Sequence, residues 1–277
     1  MKYFKGRNKK KKILVRFLVL FILLFIINYY FEKYPASESY LYELTEGFLG
    51  MNLVIENIKP VYKEVSDVKT NNESPTIYIF NSHQTEKYKY NKLSSYNIDY
   101  TVMFASYILQ MYLEEYQIPV LVETTSISKV LNDNGWKYKD SYKASRLLLE
   151  QRVKENPSLI YFIDLHRDSS VYEKTTCNLD GVNYAKVLFV VGLEHENYAF
   201  NLETATNLNE KLKEINPCFS RGIMEKEGDG VNGIYNQDFH KNMVLLEIGG
   251  QYNYIEEVNN ILKIVAKILN DYIKEDL

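Results

Sequence analysis

Apolar and polar positions along this chain fall into two regimes. Residues 17–27 are all Phe, Leu, Val or Ile, and the apolar stretch extends over 13–31, broken by Arg16 and Asn28. As a helix it is roughly 28 Å long, close to the apolar thickness of a bilayer. Its central residues favour insertion by about 3 to 7 kcal/mol in total. From residue 75 onward, short apolar runs alternate with longer amphipathic stretches. The runs at 76–80, 119–124, 159–165, 186–191 and 243–248 predict strands. The stretches 102–116, 141–154, 197–214 and 254–273 predict helices. In the last of these, Val258, Ile261, Leu262, Val265, Ile268 and Leu269 mark one apolar face. The order predicts an α/β fold: an open, mostly parallel or mixed sheet with helices on both faces. In such sheets, sites gather beyond the carboxyl ends of the strands.

Charge sharpens the picture of the first regime. Eight basic residues and no acidic ones precede Phe17. Removing them takes the net charge from −3 to −11. A remainder that acidic is a poor nucleic-acid binder. A basic flank stays in the cytoplasm, so the rest of the chain is expected outside. Arg16 lies near the end of the span and can snorkel. A cleaved signal peptide is the rival reading, with Pro35, Ala36 and Ser37 as a weak site. We therefore expect a cytoplasmic basic head at 1–12, a transmembrane anchor at 13–31, a stalk or linker at 32–74 and an extracytoplasmic domain at 75–277. The 25 Tyr residues fit a compositional habit rather than a ligand face. Cys177 and Cys218 are the two cysteines. Outside the membrane they could pair, and neither sits in a CxxC.

Candidate chemistry collects at three strand ends. The first strand runs into Asn81-Ser82-His83-Gln84-Thr85-Glu86, the third into Asp164-Leu165-His166-Arg167-Asp168, and the last into Glu247-Ile248-Gly249-Gly250. Two His and one carboxylate, with the fourth position open, form a known catalytic zinc set. His83 and Glu86 stand at i, i+3, and His166 comes from a distant strand. Glu247 is the candidate general base, because a carboxylate inside an apolar strand needs a strong reason to be there. Asp164 or Asp168 could orient the His166 imidazole. Arg146, Arg167 and Arg221 could clamp a substrate carboxylate, or make structural pairs. His195 and His240 read as ordinary loop residues. There is no P-loop, G-x-G-x-x-G, G-x-S-x-G or H-E-x-x-H motif.

Seven blocks resemble the stage II sporulation protein P family of endospore-forming bacteria. They are IYIFNSHQTE at 77–86, DSYKASR at 140–146, NPSLIYFIDLHRDS at 156–169, YAKVLFVVG at 184–192, SRG at 220–222, YNQDF at 235–239 and LLEIGG at 245–250. The resemblance implies a fold like that of zinc N-acetylmuramoyl-L-alanine amidases. It implies a peptidoglycan amidase, with endopeptidase activity, acting at the septum during forespore engulfment. It also implies stage II sporulation proteins D and M as partners. It supports His83 and His166 as metal ligands and Glu247 as the catalytic Glu. Related amidases take a Glu about fifteen residues after the first His, where this chain has Asp99. The HxxE with Glu86 looks instead like the metallocarboxypeptidase arrangement, and Glu86 is the preferred third ligand. Two other functions stay open. One is a non-catalytic, membrane-tethered wall-binding scaffold for a partner hydrolase. The other is a zinc carboxypeptidase, which would need an Arg clamp for the terminal carboxylate.

Overall fold

Each central strand must bury both of its faces, and the sequence supplies two alternating apolar sets to do it. The computed structural model describes residues 74, 76–89 and 100–276. The expected anchor at 13–31 and most of the expected stalk lie outside the described residues. Among the described residues, no helix is long and apolar enough to cross a membrane.

The elements run in the order β1 (Ile77–Phe80), α1 (Val102–Glu115), β2 (Val120–Val122), α2 (Ile127–Asp133), α3 (Ser141–Glu155), β3 (Tyr161–Asp168), α4 (Tyr172–Thr175), β4 (Thr176–Leu179), β5 (Val182–Ala185), β6 (Val187–Gly192), α5 (Tyr198–Ile215), β7 (Ser220–Lys226), β8 (Met243–Gly250) and α6 (Ile255–Asp276). One six-stranded sheet has the order β2-β1-β3-β8-β6-β7. β2, β1, β3 and β8 are mutually parallel. β6 runs antiparallel to β8 and parallel to β7. The sheet is therefore mixed, with a four-strand parallel block and a two-strand block reversed against it. β4 and β5 form a separate hairpin.

One face of the sheet carries Ile77, Ile79, Ile163, Leu165, Phe189, Val244, Leu246 and Ile248, packed under α1, α5 and α6. Helix α1 meets it with Val102, Ala105, Leu109 and Leu113, spaced to form one helical stripe. Helix α6 meets it with the six apolar residues expected from its sequence, all buried. Each such side chain contributes about 1.5–3 kcal/mol when buried. On the opposite face, Tyr78, Phe80, Phe162 and Met243 pack against Leu149 of α3. That cover reaches only part of the sheet. Over β8 and β6 the second face holds Leu245, Leu188 and Val190 beneath Tyr235, and there a cleft opens.

Four features were not expected from the sequence: α2, the short α4, the β4–β5 hairpin and β7. The hairpin turns on Asp180 and Gly181, both with positive φ, a combination suited to a tight two-residue turn. A disulfide joins Cys177 of β4 to Cys218 in the 3₁₀ turn Pro217–Phe219, which leads into β7. It ties the hairpin to the sheet's edge strand.

Candidate metal centre and cleft

The parallel strands bring the predicted residues to one edge. β1 ends at Phe80, and the chain turns at once through residues 82–85. Asn81 anchors this turn by donating its amide to the Leu165 carbonyl. Ser82 donates its N–H and hydroxyl to the two carboxylate oxygens of Asp164, at 2.9 and 2.6 Å. β3 alternates Ile163 and Leu165 toward the helix-covered face, so Asp164 and His166 share the other one. His83, Glu86 and His166 converge there, each offering one ligand atom, and these atoms lie within 4.8 Å of one another.

Glu86 bridges the two imidazoles. Its Oε1 lies 3.6 Å from His83 Nδ1, and its Oε2 lies 3.5 Å from His166 Nδ1. Those gaps are long for N–H···O hydrogen bonds. They leave room for a cation between the two imidazoles and the carboxylate. The His83 and His166 ring centroids are 5.1 Å apart, nearly perpendicular. Behind His166, Asp164 Oδ1 stands 2.9 Å from Nε2, although the angle leaves Nε2 without a true hydrogen bond. This leaves Nδ1 as the inward-facing nitrogen.

Electrostatics favours a cation at this spot. Burial pushes Glu86 up, but the His166 and His83 imidazoles and the Arg167 N–H outweigh it, so its carboxyl stays below the usual range. Burial pushes His166 down, but Asp164 and Glu86 outweigh that and hold it well above the ordinary histidine value. Two carboxylates thus demand positive charge between them, which a proton or a metal ion can supply. The donor set is two nitrogens and one carboxylate, which fits zinc. Asp99 lies outside the described residues.

Glu247 is the register partner of His166 on the neighbouring strand β8, about 4.8 Å away across the ladder. Its Oε2 is shielded from solvent and has no hydrogen-bond partner. Burial pushes its carboxyl up to about 7, with Glu86 and Asp168 adding to the rise and His166 opposing it. A cleft of about 350 Å³ opens beside it, lined also by Tyr142, Tyr235, Leu245 and Lys226. Aromatic rings frame the entrance. Tyr138 stacks on His83 at 5.0 Å, and Tyr142 lies 5.3 Å from His83 and 6.3 Å from His166. Burial raises the Tyr142 phenol far above its ordinary value, so it stays a hydrogen-bond donor.

The other candidates are placed differently. Asp168 does not face His166; it accepts from Ser170 and pairs with Arg221. Arg146 binds both oxygens of Asp238, at 2.9 Å each, and also reaches Glu150. Arg167 donates to the carbonyls of Lys87 and Asp168. All three arginines thus have protein partners. His195 and His240 lie in turns outside the metal centre; His240 Nδ1 accepts the Asn242 N–H. Sequence reasoning missed Tyr138, Tyr142, Tyr235 and Lys226. The signal for Tyr142 was its place in the first turn of a helix that follows a polar loop, and for the others there was none.

A curated relative, stage II sporulation protein P of Bacillus subtilis, is 31% identical over 209 residues. The match covers 73% of this chain and 52% of the relative, so the chain spans about half that protein's length. The solved CwlD amidase from Clostridioides difficile, in complex with the GerS lipoprotein, aligns at TM-score 0.46 and 13% identity, covering 72% of this chain and 98% of that one. N-acetylmuramoyl-L-alanine amidase AmiC2 of Nostoc punctiforme aligns at 0.42 and 9%, covering 72% and 97%. The family model for stage II sporulation protein P matches residues 34–270, a span that runs from before β1 into α6, and the chain belongs to that family.

Proposed function

We propose that this chain is a zinc-dependent peptidoglycan hydrolase, an N-acetylmuramoyl-L-alanine amidase with endopeptidase activity, held at the outer face of the cell membrane. One observation carries the reading: three ligand atoms within 4.8 Å stand beside a carboxylate on the adjacent strand whose Oε2 is shielded from solvent and unpartnered.

His83, Glu86 and His166 would hold the zinc. When bound, it supplies Lewis-acid polarisation of the amide carbonyl and acidifies the attacking water. Asp164 fixes the His166 ring from behind. Glu247 accepts the proton of the water and returns it to the amine leaving group as the C–N bond breaks. Its position above an apolar floor keeps it poorly solvated, which raises its basicity. Tyr142 offers a phenol O–H toward the same space. The Cys177–Cys218 disulfide supports an oxidising, extracytoplasmic setting, and the 13–31 stretch supports an anchor. Membership of the family extends the reading to forespore engulfment with stage II sporulation proteins D and M as partners. The carboxypeptidase alternative loses support, because each arginine it would use as a clamp already has a protein partner.

Digestion of purified cell walls by the full chain tests this. Mass spectrometry of the products should find free stem peptides and peptide-free glycan. Chelation should stop the release and zinc should restore it. Glu247→Gln should lower the rate by about 10²–10⁴-fold. Undiminished release by His83→Ala in the presence of chelator would rule the reading out.

A further inference from the structure

The cleft beside Glu247 holds one charged group with no counterpart. Asp168 is matched by Arg221. Lys226, at the end of β7, lines the same cleft, and among the described residues its ammonium has neither an ion pair nor a hydrogen bond. Glu194, in the loop after β6, is engaged by the Gly228 N–H instead. Glu225 alternates to the other side of β7.

The register sets how far this cation is from the chemistry. Glu247 pairs with Leu188 on β6, and Lys226 pairs with Gly192. Four residues along a strand span about 13 Å, and β8 and β7 lie two strand spacings, about 10 Å, apart across β6, so the two backbones are roughly 16 Å apart. A lysine side chain leaning along the cleft shortens that gap. Between the two ends, the floor is Leu188, Val190 and Leu245. The cleft is thus an apolar trough with the reacting groups at one end and a free cation at the other.

Resting on the hydrolase reading above, we propose that Lys226 is a specificity-determining residue that binds a peptide carboxylate two to four residues from the bond being cut. A trough with this floor suits small apolar residues, and a lone ammonium suits one carboxylate. The stem peptides of the wall offer three such groups: the α-carboxylate of an isoglutamyl residue, the side carboxylate of a diamino acid, and the C-terminus. The chemistry at Lys226 is the same for all three.

The test uses the full chain loaded with zinc and four synthetic muropeptides: the free acid, and one amidated at each carboxylate in turn. The readout is the ratio of kcat/KM for acid to amide, within each variant, so losses through folding cancel. Wild type should prefer the free acid by about tenfold over one of the three amides, as a charge-assisted contact implies, with the difference in KM. Lys226→Gln should bring that ratio to near one, Lys226→Arg should keep it, and Lys226→Glu should invert it. The amide that loses the advantage identifies which carboxylate is bound. A Lys226→Gln ratio equal to wild type overturns the inference while leaving the hydrolase reading intact. If wild type cuts none of the four, the hydrolase reading falls, and equilibrium binding of the same peptides gives the same ratio for judging Lys226.

Discussion

Replacing Asp164 by Asn exchanges one buried oxygen for an NH2 group with almost no change in shape. Asp164 is fully buried, takes two hydrogen bonds from Ser82 and stands 2.9 Å from His166 Nε2. In the variant the retained oxygen still accepts the Ser82 N–H. The Ser82 hydroxyl can turn toward Ser145, 2.9 Å away, so the turn after β1 should hold. What is lost is the negative charge behind the imidazole. Loss of such an outer partner usually lowers metal affinity by about 10–100-fold, and the lower end, about tenfold, is expected here because the contact acts through charge rather than through a well-aligned hydrogen bond. Competition with a chromophoric chelator measures it, and the metal-free unfolding midpoint checks that the fold survives. Unchanged zinc affinity in a folded Asp164→Asn protein would refute the role given to this carboxylate.

Two other outcomes follow from the same structure. Breaking the Cys177–Cys218 bridge, which closes a 41-residue separation, should lower stability by about 4 kcal/mol on the loop-entropy account; denaturant unfolding of the Cys177→Ser, Cys218→Ser protein measures this, and no change would contradict it. Burial pushes Glu123 up, but Arg152, Tyr78 and Thr125 outweigh burial and hold it below the ordinary 4.5. Its contribution is therefore complete above about pH 4.5 and is lost as pH falls through the lower folded value. Arg152→Met leaves that carboxylate buried and without its cation, at a cost of about 3–5 kcal/mol near neutrality. The gap between wild type and variant should narrow on acidification, and a gap that is constant from pH 7 to pH 3 would contradict the assignment.

Much of this was legible along the chain because central strands are apolar on both faces. β1 and β6 announce themselves as unbroken apolar runs, β3 and β8 as apolar runs interrupted by Asp164, His166 and Glu247, and α6 as a stripe. β7 did not, because it is an edge strand with half-exposed Arg221, Ile223 and Lys226, broken at Gly222 with positive φ. The β4–β5 hairpin is too short and polar to stand out, although its Asp-Gly turn was a readable signal. The reversal of β6 against β8 depends on which strand pairs with which, and no strand's own pattern carries that. The site divides in the same way. His83, Glu86, His166 and Glu247 could be found because strand ends collect chemistry. The pairing of Arg146 with Asp238 and of Arg221 with Asp168 joins residues 92 and 53 positions apart, so it could not be read from local sequence. Lys226 gained its meaning only from the cleft it lines.

Zinc content of the purified full chain, by elemental mass spectrometry beside His83→Ala and His166→Ala, probes the convergence of His83, Glu86 and His166 on one cation most directly. One zinc per wild-type chain, falling toward zero in both variants while each stays folded, is the expected result. A folded wild-type protein that takes up no stoichiometric metal, or variants that bind it equally well, would contradict it.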